Sequence, residues 1–416
     1  MSSDCCFWYK RGEEGYIING NVAFKESNTQ AGSPIIQTIP KIVRYNGAPR
    51  YGGAVNLWND LEFCKILLAN IMRLWVFKGI TAKTDEIVRS GRRIKMLENM
   101  TMRESMASGL LGLVVGEAAG IPFLLTTRSA MKDHPMTGLN GPENSLAWGE
   151  VTALSLATMD SIVKTGKIDF NDTMDRFLDW LENRKYRPQN PVRDEFANTT
   201  ITVQYAIMRY KNGKAPLICG AYSQNETGAA AMMRVLPVAC YSSRKVPDRV
   251  DRMDLMNHVS SLTHATEPCW LGCLILADYV DLLLNGFGKT EALQRLQEYD
   301  YRKYYTDESC DEFLRILSGE ILSLEERDIH SSAYIVYVLE AGLWCILNTD
   351  SYQDAIIQAV NLGGATNYVA AITGALAGIL YGRKGIPLQW INRMQCKSYL
   401  TNEIYRFVNA ICERSM

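Results

Sequence analysis

The sequence predicts an all-α body that is preceded by an N-terminal extension. Apolar residues recur three or four positions apart through most of the chain after residue 100, as one face of a helix requires. No run of alternating apolar and polar residues interrupts this pattern, so a sheet is not expected there. The chain has 416 residues, 47% of them hydrophobic, which is enough for one large domain with an extensive core.

The extension is predicted to span residues 1–100 and the helical body residues 101–416. Residues 1–55 are rich in Gly, Asn, Pro and aromatic residues, which indicates an irregular arm or small lobe. Two lead-in helices follow, because apolar residues then recur at helical spacing. The elements predicted for the extension are β-like runs at Gly15 and Lys41 and helices at 55–77 and 83–99.

The body reads as one helix after another, with no repeat of fixed length. Base rates and periodicity both favour an all-α fold for such a segment. The predicted helices are 103–118, 150–164, 170–183, 196–210, 228–240, 253–260, 268–285, 288–298, 308–319, 330–347, 352–361, 367–381 and 401–412.

Composition restricts the partners and the compartment. The 44 Lys and Arg residues balance 45 Asp and Glu residues, so we expect neither nucleic acid nor an anionic membrane as a partner. The most apolar stretch, 109–125, contains Glu117 and several glycines and is predicted to be a buried helix. The start lacks the apolar core of a secretory signal, and eleven scattered cysteines indicate reduced thiols. We expect a cytoplasmic protein, or one delivered into a host cytosol.

Five separated segments combine glycines and small residues with a few polar residues. Each is a weak signal by itself, although a glycine turn at a helix start often presents ligands or binds an anion. The segments are Gly112-Leu-Val-Val-Gly-Glu-Ala-Ala-Gly, Trp148-Gly-Glu-Val-Thr-Ala-Leu, Thr227-Gly-Ala-Ala-Ala-Met-Met-Arg-Val-Leu-Pro, Thr263-His264, and Ala359-Val-Asn-Leu-Gly-Gly-Ala-Thr-Asn-Tyr with the small-residue helix that follows it.

In their order and spacing, these segments resemble the ADP-ribosylglycohydrolase family from about Arg103 to Met394. The resemblance implies an orthogonal helical bundle of the ADP-ribosylglycohydrolase type. It also implies a cleft that holds two Mg²⁺ ions and cleaves the glycosidic bond between ADP-ribose and a side chain.

The chain departs from the family pattern at the metal ligands. Glu150 and Val151 stand where the family has two aspartates, and Ala365 and Asn367 stand where it has two more, followed by Tyr368 in place of a threonine. Two Mg²⁺ ions need carboxylates to offset lost hydration and mutual repulsion. Because only Glu150 keeps a charge, we expect no dinuclear Mg²⁺ site and no cofactor. A single weak cation site at Glu150 and Thr152 stays open.

Two residues are candidates for catalysis. Glu150 is a candidate general acid or base in a metal-free reaction. His264 matches the family's Thr-His element, but a lone histidine before Pro268 is more often a hydrogen-bonded structural residue.

The predicted ligand-binding residues have structural alternatives. Glu117 either assists at the site or bonds local backbone, and Arg234 either reaches a phosphate or fixes a helix through a buried ion pair. Trp148 and Tyr368 either stack on adenine or fill space left by the metals. The complete set is Glu117, Trp148, Thr152, Arg234, Gly363, Gly364, Asn367 and Tyr368.

Three functions therefore stay open. The first is recognition of ADP-ribose or an ADP-ribosylated protein, with the family's Mg²⁺-dependent hydrolysis lost or altered. The second is a pseudoenzyme that binds or neutralises a protein partner such as an ADP-ribosyltransferase, with contacts from the N-terminal extension. The third is a structural protein that reuses the fold.

Overall fold

The computed structural model describes residues 101–188, 200–223 and 226–413 in full, and residues 5–10, 13–18, 21–24 and 81–100 by their backbone. Two compact units divide the chain, Met1–Ile87 and Val88–Met416.

The first unit contains a three-stranded antiparallel sheet. Its strands are β1 (Cys5–Lys10), β2 (Glu13–Ile18) and β3 (Asn21–Phe24), with β2 in the middle. The predicted β-like run at Gly15 lies within β2, where Gly15 pairs with Phe24. The run at Lys41 and the helix at 55–77 lie outside the described residues. The boundary between extension and body at residue 100 stays a prediction.

The described part of the second unit consists of helices and connecting loops, and its first helix begins before the unit, at Thr81. This confirms the all-α prediction. Its longer helices are α1 (Thr81–Gly120), α2 (Arg128–Asp133), α3 (Glu150–Thr165), α4 (Phe170–Asn183), α5 (Ile201–Lys211), α6 (Val235–Lys245), α7 (Arg249–Ser261), α8 (Glu267–Leu284), α9 (Lys289–Gln297), α10 (Asp307–Glu312), α11 (Leu314–Leu317), α12 (Ile335–Leu347), α13 (Tyr352–Asn361), α14 (Thr366–Gly385), α15 (Leu388–Arg393) and α16 (Lys397–Cys412). Short 3₁₀ helices lie at Ile121–Phe123, Pro216–Ile218, Ala229–Arg234, Glu320–Ser323 and Glu326–Asp328.

Several predicted boundaries are wrong. The helix predicted at 308–319 is divided at Phe313, and the one predicted at 330–347 begins at Ile335. Helix α1 continues through Met100, where a break between two helices was expected, because no Gly or Pro occurs there to end it. The helix predicted at 228–240 is divided at Arg234, where a 3₁₀ turn passes into α6. The six-residue helices α2 and α15 were not predicted, since they are too short to show a period.

The apolar stretch around Glu117 lies in the core, as the sequence predicts. Among the described residues one helical segment, Thr101–Phe123, is long and apolar enough to cross a membrane. However, 83% of its most apolar window is buried inside the protein. This burial is typical of the core helix of a soluble protein.

Helices α1 and α14 cross with their backbones in close contact. A Cβ atom on Gly112 would lie 2.1 Å from the carbonyl oxygen of Gly374, and one on Gly116 would lie 2.1 Å from that of Ala370. The contacts run antiparallel, and the last, at Gly120, is with the start of α14. The small residues of α14 therefore accommodate α1, and this crossing places the C-terminal end of α1 beside the N-terminal end of α14.

Candidate functional site

Thr200 connects the first turns of α3 and α14. Its backbone N–H donates to Glu150 Oε2 over 2.8 Å, and its Oγ1 lies 2.6 Å from the hydroxyl oxygen of Tyr368. Glu150 is the first residue of α3 and Tyr368 the third of α14. The structure thus brings together two predicted site residues from distant segments, through a third residue that was not predicted as a contact.

Glu150 has an unusual proton affinity. Burial and the nearby Glu117 carboxyl raise its pKa, hydrogen bonds from Thr200 and the charge of Arg234 oppose the shift, and the net pKa is about 7. A carboxyl that titrates near neutral pH can act as a general acid or base. The N-terminal position on α3 also favours its ionised form through the helix dipole.

The pKa of Glu150 predicts a pH-dependent effect of Glu150→Gln on stability. The folded pKa lies above the usual 4.5, so protonation stabilises the fold; this contribution is complete below pH 4.5 and is lost as the pH rises through 7. Relative to wild type, the free energy of unfolding of the variant should therefore rise by about 2 kcal/mol between pH 4.5 and 8, after allowance for partial exposure. Urea unfolding at both pH values, with Glu143→Gln as the matched control, measures this change. A constant difference would contradict it.

Glu117 caps helix α3. Its Oε1 and Oε2 atoms accept the backbone N–H groups of Val151 and Thr152, each over 2.9 Å. The carboxyl is completely buried, and burial raises its pKa. A Cβ atom on Gly149 would lie 2.9 Å from Glu117 Oε1, which explains the glycine before this helix. Glu117 therefore bonds local backbone, and Thr152 lies buried beside it.

Trp148 lies in the core rather than on an open surface. Its ring is 1% exposed, and its indole N–H donates to the carbonyl oxygen of Tyr186 over 2.9 Å. Such a ring has no free face on which adenine can stack. Of its two predicted roles, the arrangement favours filling space.

The glycine loop before α14 bonds to the protein itself. Gly363 and Gly364 have φ values of +72° and +71°, a conformation that favours glycine. The Gly364 N–H donates to the carbonyl oxygen of Thr126, and its own carbonyl oxygen accepts from Leu125. The Ala365 N–H donates to the carbonyl oxygen of Ser331. These N–H groups are therefore not available to an anion.

Arg234 fixes the C-terminal end of α7. Its guanidinium is completely buried and donates to the carbonyl oxygens of Val259 and Ser260 and, over 2.6 Å, to Thr263 Oγ1. Helix carbonyls at this end carry partial negative charge and stabilise a cation. Burial lowers the Arg234 pKa to about 10. Arg234 therefore fixes a helix, as the second of its two predicted roles required. Its acceptors are neutral oxygens, however, and not the carboxylate of an ion pair.

His264 is a neutral, buried residue. Burial and the charge of Arg234 lower its pKa to about 3. Thr263 Oγ1 accepts from Arg234 and lies 2.8 Å from His264 Nδ1. His264 is therefore part of a buried hydrogen-bonded cluster, as expected of a structural histidine.

The described residues do not fit a pair of Mg²⁺ ions. Val151 and Ala365 are buried and apolar, and both oxygens of Glu117 are occupied by backbone N–H groups. Asn367 Oδ1 is buried without a hydrogen-bond partner, but as a metal ligand it carries no negative charge. Across residues 101–188, 200–223 and 226–413, no group of three or more His, Cys, Asp or Glu side chains could hold a metal ion.

Thr200 is the site residue that the sequence did not reveal. Its position directly before the apolar periodicity of α5 was an available signal, because Thr at a helix start often bonds backbone or neighbouring side chains.

Comparison with known proteins identifies the class to which this fold and site belong. The family model described as ADP-ribosylglycohydrolase matches residues 98–415. The chain therefore belongs to the ADP-ribosylglycohydrolase family, as its motifs predict.

Several curated proteins are similar to the chain. An ADP-ribosylarginine hydrolase Tri1 of Serratia proteamaculans is 26% identical over 70% of this chain and 76% of its own length. The ADP-ribosyl-[dinitrogen reductase] glycohydrolase of Rhodospirillum rubrum is 27% identical over 75% of this chain and 96% of its own length. A solved structure titled ADP-ribosylglycohydrolase-related protein complex aligns with a TM-score of 0.60 at 21% identity and covers 75% of this chain and 99% of that chain, which shows the fold.

Proposed function

We propose that this protein recognises ADP-ribose carried by a protein side chain, and that it does so without the pair of Mg²⁺ ions typical of its family. The replacement of oxygen donors at the site carries this proposal. Glu150 keeps a carboxyl at the head of α3, whereas Val151 and Ala365 are buried and apolar. The family's Mg²⁺-dependent hydrolysis is then lost or altered, and no metal is required for binding.

Glu150 and Asn367 supply the polar contacts in this proposal. The ionised Glu150 carboxylate accepts hydrogen bonds from ligand hydroxyl groups, and its pKa of about 7 suits it to move a proton. The Asn367 amide oxygen has no partner among the described residues and accepts a further hydrogen bond. Any hydrolysis by this site uses Glu150 as acid or base and does not use a metal-bound nucleophile.

Calorimetry with ADP-ribose tests the proposal. We expect the same affinity in Mg²⁺ and in EDTA, because no described metal site contributes to binding. Glu150→Gln should weaken binding about tenfold, since a hydrogen bond to a charged group is lost. Glu143→Gln, in the exposed loop before Trp148, is the matched control and should bind as wild type does. Binding that requires Mg²⁺, or Mg²⁺-dependent turnover of ADP-ribosylarginine or ADP-ribosylserine, would overturn the proposal.

A protein-binding pseudoenzyme is the second candidate, and exposed apolar residues favour it. Leu125 is 80% exposed, Ile201 61% and Tyr222 83%. Each of them is next to a site residue. The Leu125 N–H donates to the carbonyl oxygen of Gly364, and Ile201 directly follows Thr200. Tyr222 follows Ala221, whose backbone pairs with that of His264. Exposed apolar surface at the edge of a site commonly contacts a protein. In this version an ADP-ribosyltransferase or an ADP-ribosylated protein is the partner, and the N-terminal extension adds contacts.

The same calorimetry distinguishes the candidates. Binding of an ADP-ribosylated protein without measurable binding of free ADP-ribose favours the protein-directed pseudoenzyme. If neither the ADP-ribosylated protein nor free ADP-ribose binds, the result favours a structural protein that reuses the fold.

A further inference from the structure

Arg128, the first residue of α2, bonds two separate segments of the chain through one guanidinium group. Its Nε–H donates to the carbonyl oxygen of Leu362 over 3.1 Å, at the C-terminal end of α13. Its Nη1 and Nη2 groups donate to the carbonyl oxygens of Glu326 and Ile329 over 2.9 and 2.5 Å. The rigid fork of a guanidinium suits this task, because its donors point to several acceptors at once.

The second of these segments, residues 324–331, lies before α12 and is called the strap. Most of its residues are exposed, whereas Ile329 is buried. Its last residue, Ser331, bonds the segment that leads into α14. The Ser331 carbonyl oxygen accepts from the Ala365 N–H over 2.7 Å, and its hydroxyl donates to the carbonyl oxygen of Leu362 over 3.0 Å. Leu362 therefore accepts hydrogen bonds from both the strap and Arg128.

The two glycines between Leu362 and Ala365 are enclosed by the start of α2 and by the strap. A Cβ atom on Gly363 would lie 2.9 Å from the backbone nitrogen of Arg128, and one on Gly364 would lie 2.4 Å from the carbonyl oxygen of Ser331. The glycine loop can shift only if one of these two neighbours moves. The Arg128 side chain holds the strap and the loop together, so it determines where the loop lies.

The only printed charge pair between α2 and the strap in the described residues is weaker than these bonds. Lys132 Nζ lies 3.9 Å from Glu326 Oε1, and both side chains are at least half exposed. An exposed pair of this kind contributes little, whereas hydrogen bonds from a charged donor are among the stronger ones. The carbonyl oxygen at the end of α13 also carries partial negative charge, which favours the Arg128 cation there.

The glycine loop leads directly into the first turn of α14, where one polar group is left without a partner. Tyr368 in this turn already bonds Thr200. Asn367 Oδ1 is buried and has no hydrogen-bond partner among the described residues. A buried acceptor of this kind is costly unless another molecule donates to it. Its value for binding depends on its exact position, and the loop sets that position.

We infer that Arg128 is a positioning residue, which fixes the glycine loop against the strap and thereby holds the Asn367 amide oxygen where it accepts a hydrogen bond from the ligand. The fixing of the loop is a property of the free protein. Its effect on ADP-ribose binding rests on the proposed function. Arg128 itself does not contact the ligand in this arrangement.

Amide hydrogen exchange, followed by NMR, tests the fixing of the loop without a ligand. The N–H groups of Gly364 and Ala365 donate to the carbonyl oxygens of Thr126 and Ser331, so their exchange reports opening of the loop. Arg128→Gln should accelerate exchange at both amides more than tenfold, because three bonds from a charged donor are lost. Amides in the middle of α13 should keep their rates.

Arg327→Gln is the matched control. This arginine is also in the strap, but its side chain is 77% exposed and pairs with the exposed Glu325. Its removal should leave the exchange of Gly364 and Ala365 unchanged. Unchanged exchange in Arg128→Gln, or equal acceleration in Arg327→Gln, would overturn the proposal.

Arg128→Lys keeps the test decisive if Arg128→Gln does not fold. One ammonium group keeps the charge but cannot bond all three carbonyl oxygens as the guanidinium does. Exchange at Gly364 and Ala365 should then accelerate by a smaller factor, about threefold or more. Wild-type exchange rates in Arg128→Lys would contradict the role of the guanidinium.

A double-mutant cycle on ADP-ribose affinity, measured by calorimetry, tests the functional part. Arg128→Gln and Asn367→Ala should each weaken binding about tenfold. Because Arg128 acts through Asn367, the double variant should also lose only about tenfold. A loss of about a hundredfold in the double variant, or wild-type affinity in either single variant, would overturn this part. If wild-type protein does not bind ADP-ribose at all, the proposed function is rejected, while hydrogen exchange still decides whether Arg128 fixes the loop.

Discussion

Replacing Gly112 by alanine should lower the free energy of unfolding by about 3 kcal/mol, although alanine is the better helix former. The new Cβ atom would lie 2.1 Å from the backbone oxygen of Gly374, and neither helix backbone can move aside locally. Helices α1 and α14 must separate along their crossing. Glu117 on α1 and Tyr368 on α14 both lie at the end of the crossing where Gly116 and Gly120 meet α14, so the variant should also lose ligand affinity.

Urea unfolding measures this effect, with Gly288→Ala as the matched control. Gly288 has an ordinary φ of −71°, and a Cβ atom there would meet no other atom within 4 Å. The control should change stability by less than about 1 kcal/mol. Equal losses of stability in the two variants would show that the close approach of α1 and α14 does not require a glycine at position 112.

The helices could be predicted from the sequence because their signals are local. Helix α13 begins and ends at the predicted residues 352 and 361, and α4 likewise spans 170–183 as expected. The break predicted near Met100 was wrong, because no Gly or Pro there ends α1 and the helix continues to Gly120.

The site was only partly predictable, because its contacts join distant segments. The small residues of α14 indicated a close approach, but they did not reveal that α1 is the partner. The sequence left Arg234 between a phosphate contact and an ion pair, and the structure gives it the carbonyl oxygens at the end of α7. Among the described residues, Glu150 and Tyr368 are connected only through Thr200, which comes from a third segment and bonds both of them.

Replacement of Glu117 by alanine should lower the free energy of unfolding by about 3–4 kcal/mol. Two buried N–H groups, of Val151 and Thr152, would lose their acceptors, and the missing side chain would leave a cavity. The hydrogen bonds that are lost are at the start of α3, where Glu150 also lies. The variant should therefore bind ADP-ribose more weakly than its lower stability alone explains, even at temperatures at which it is folded.

Glu117→Gln separates the two contributions within the same volume. It keeps one oxygen acceptor but places an amide N–H₂ group against a backbone donor, so it should cost about 2 kcal/mol without creating a cavity. Glu104→Ala, at an exposed position on the same helix, is the matched control and should cost less than about 0.5 kcal/mol. If Glu117→Gln matched wild type in chemical denaturation, the carboxylate cap on α3 would not be needed for stability, and Glu117 would have to be retained for its charge beside Glu150.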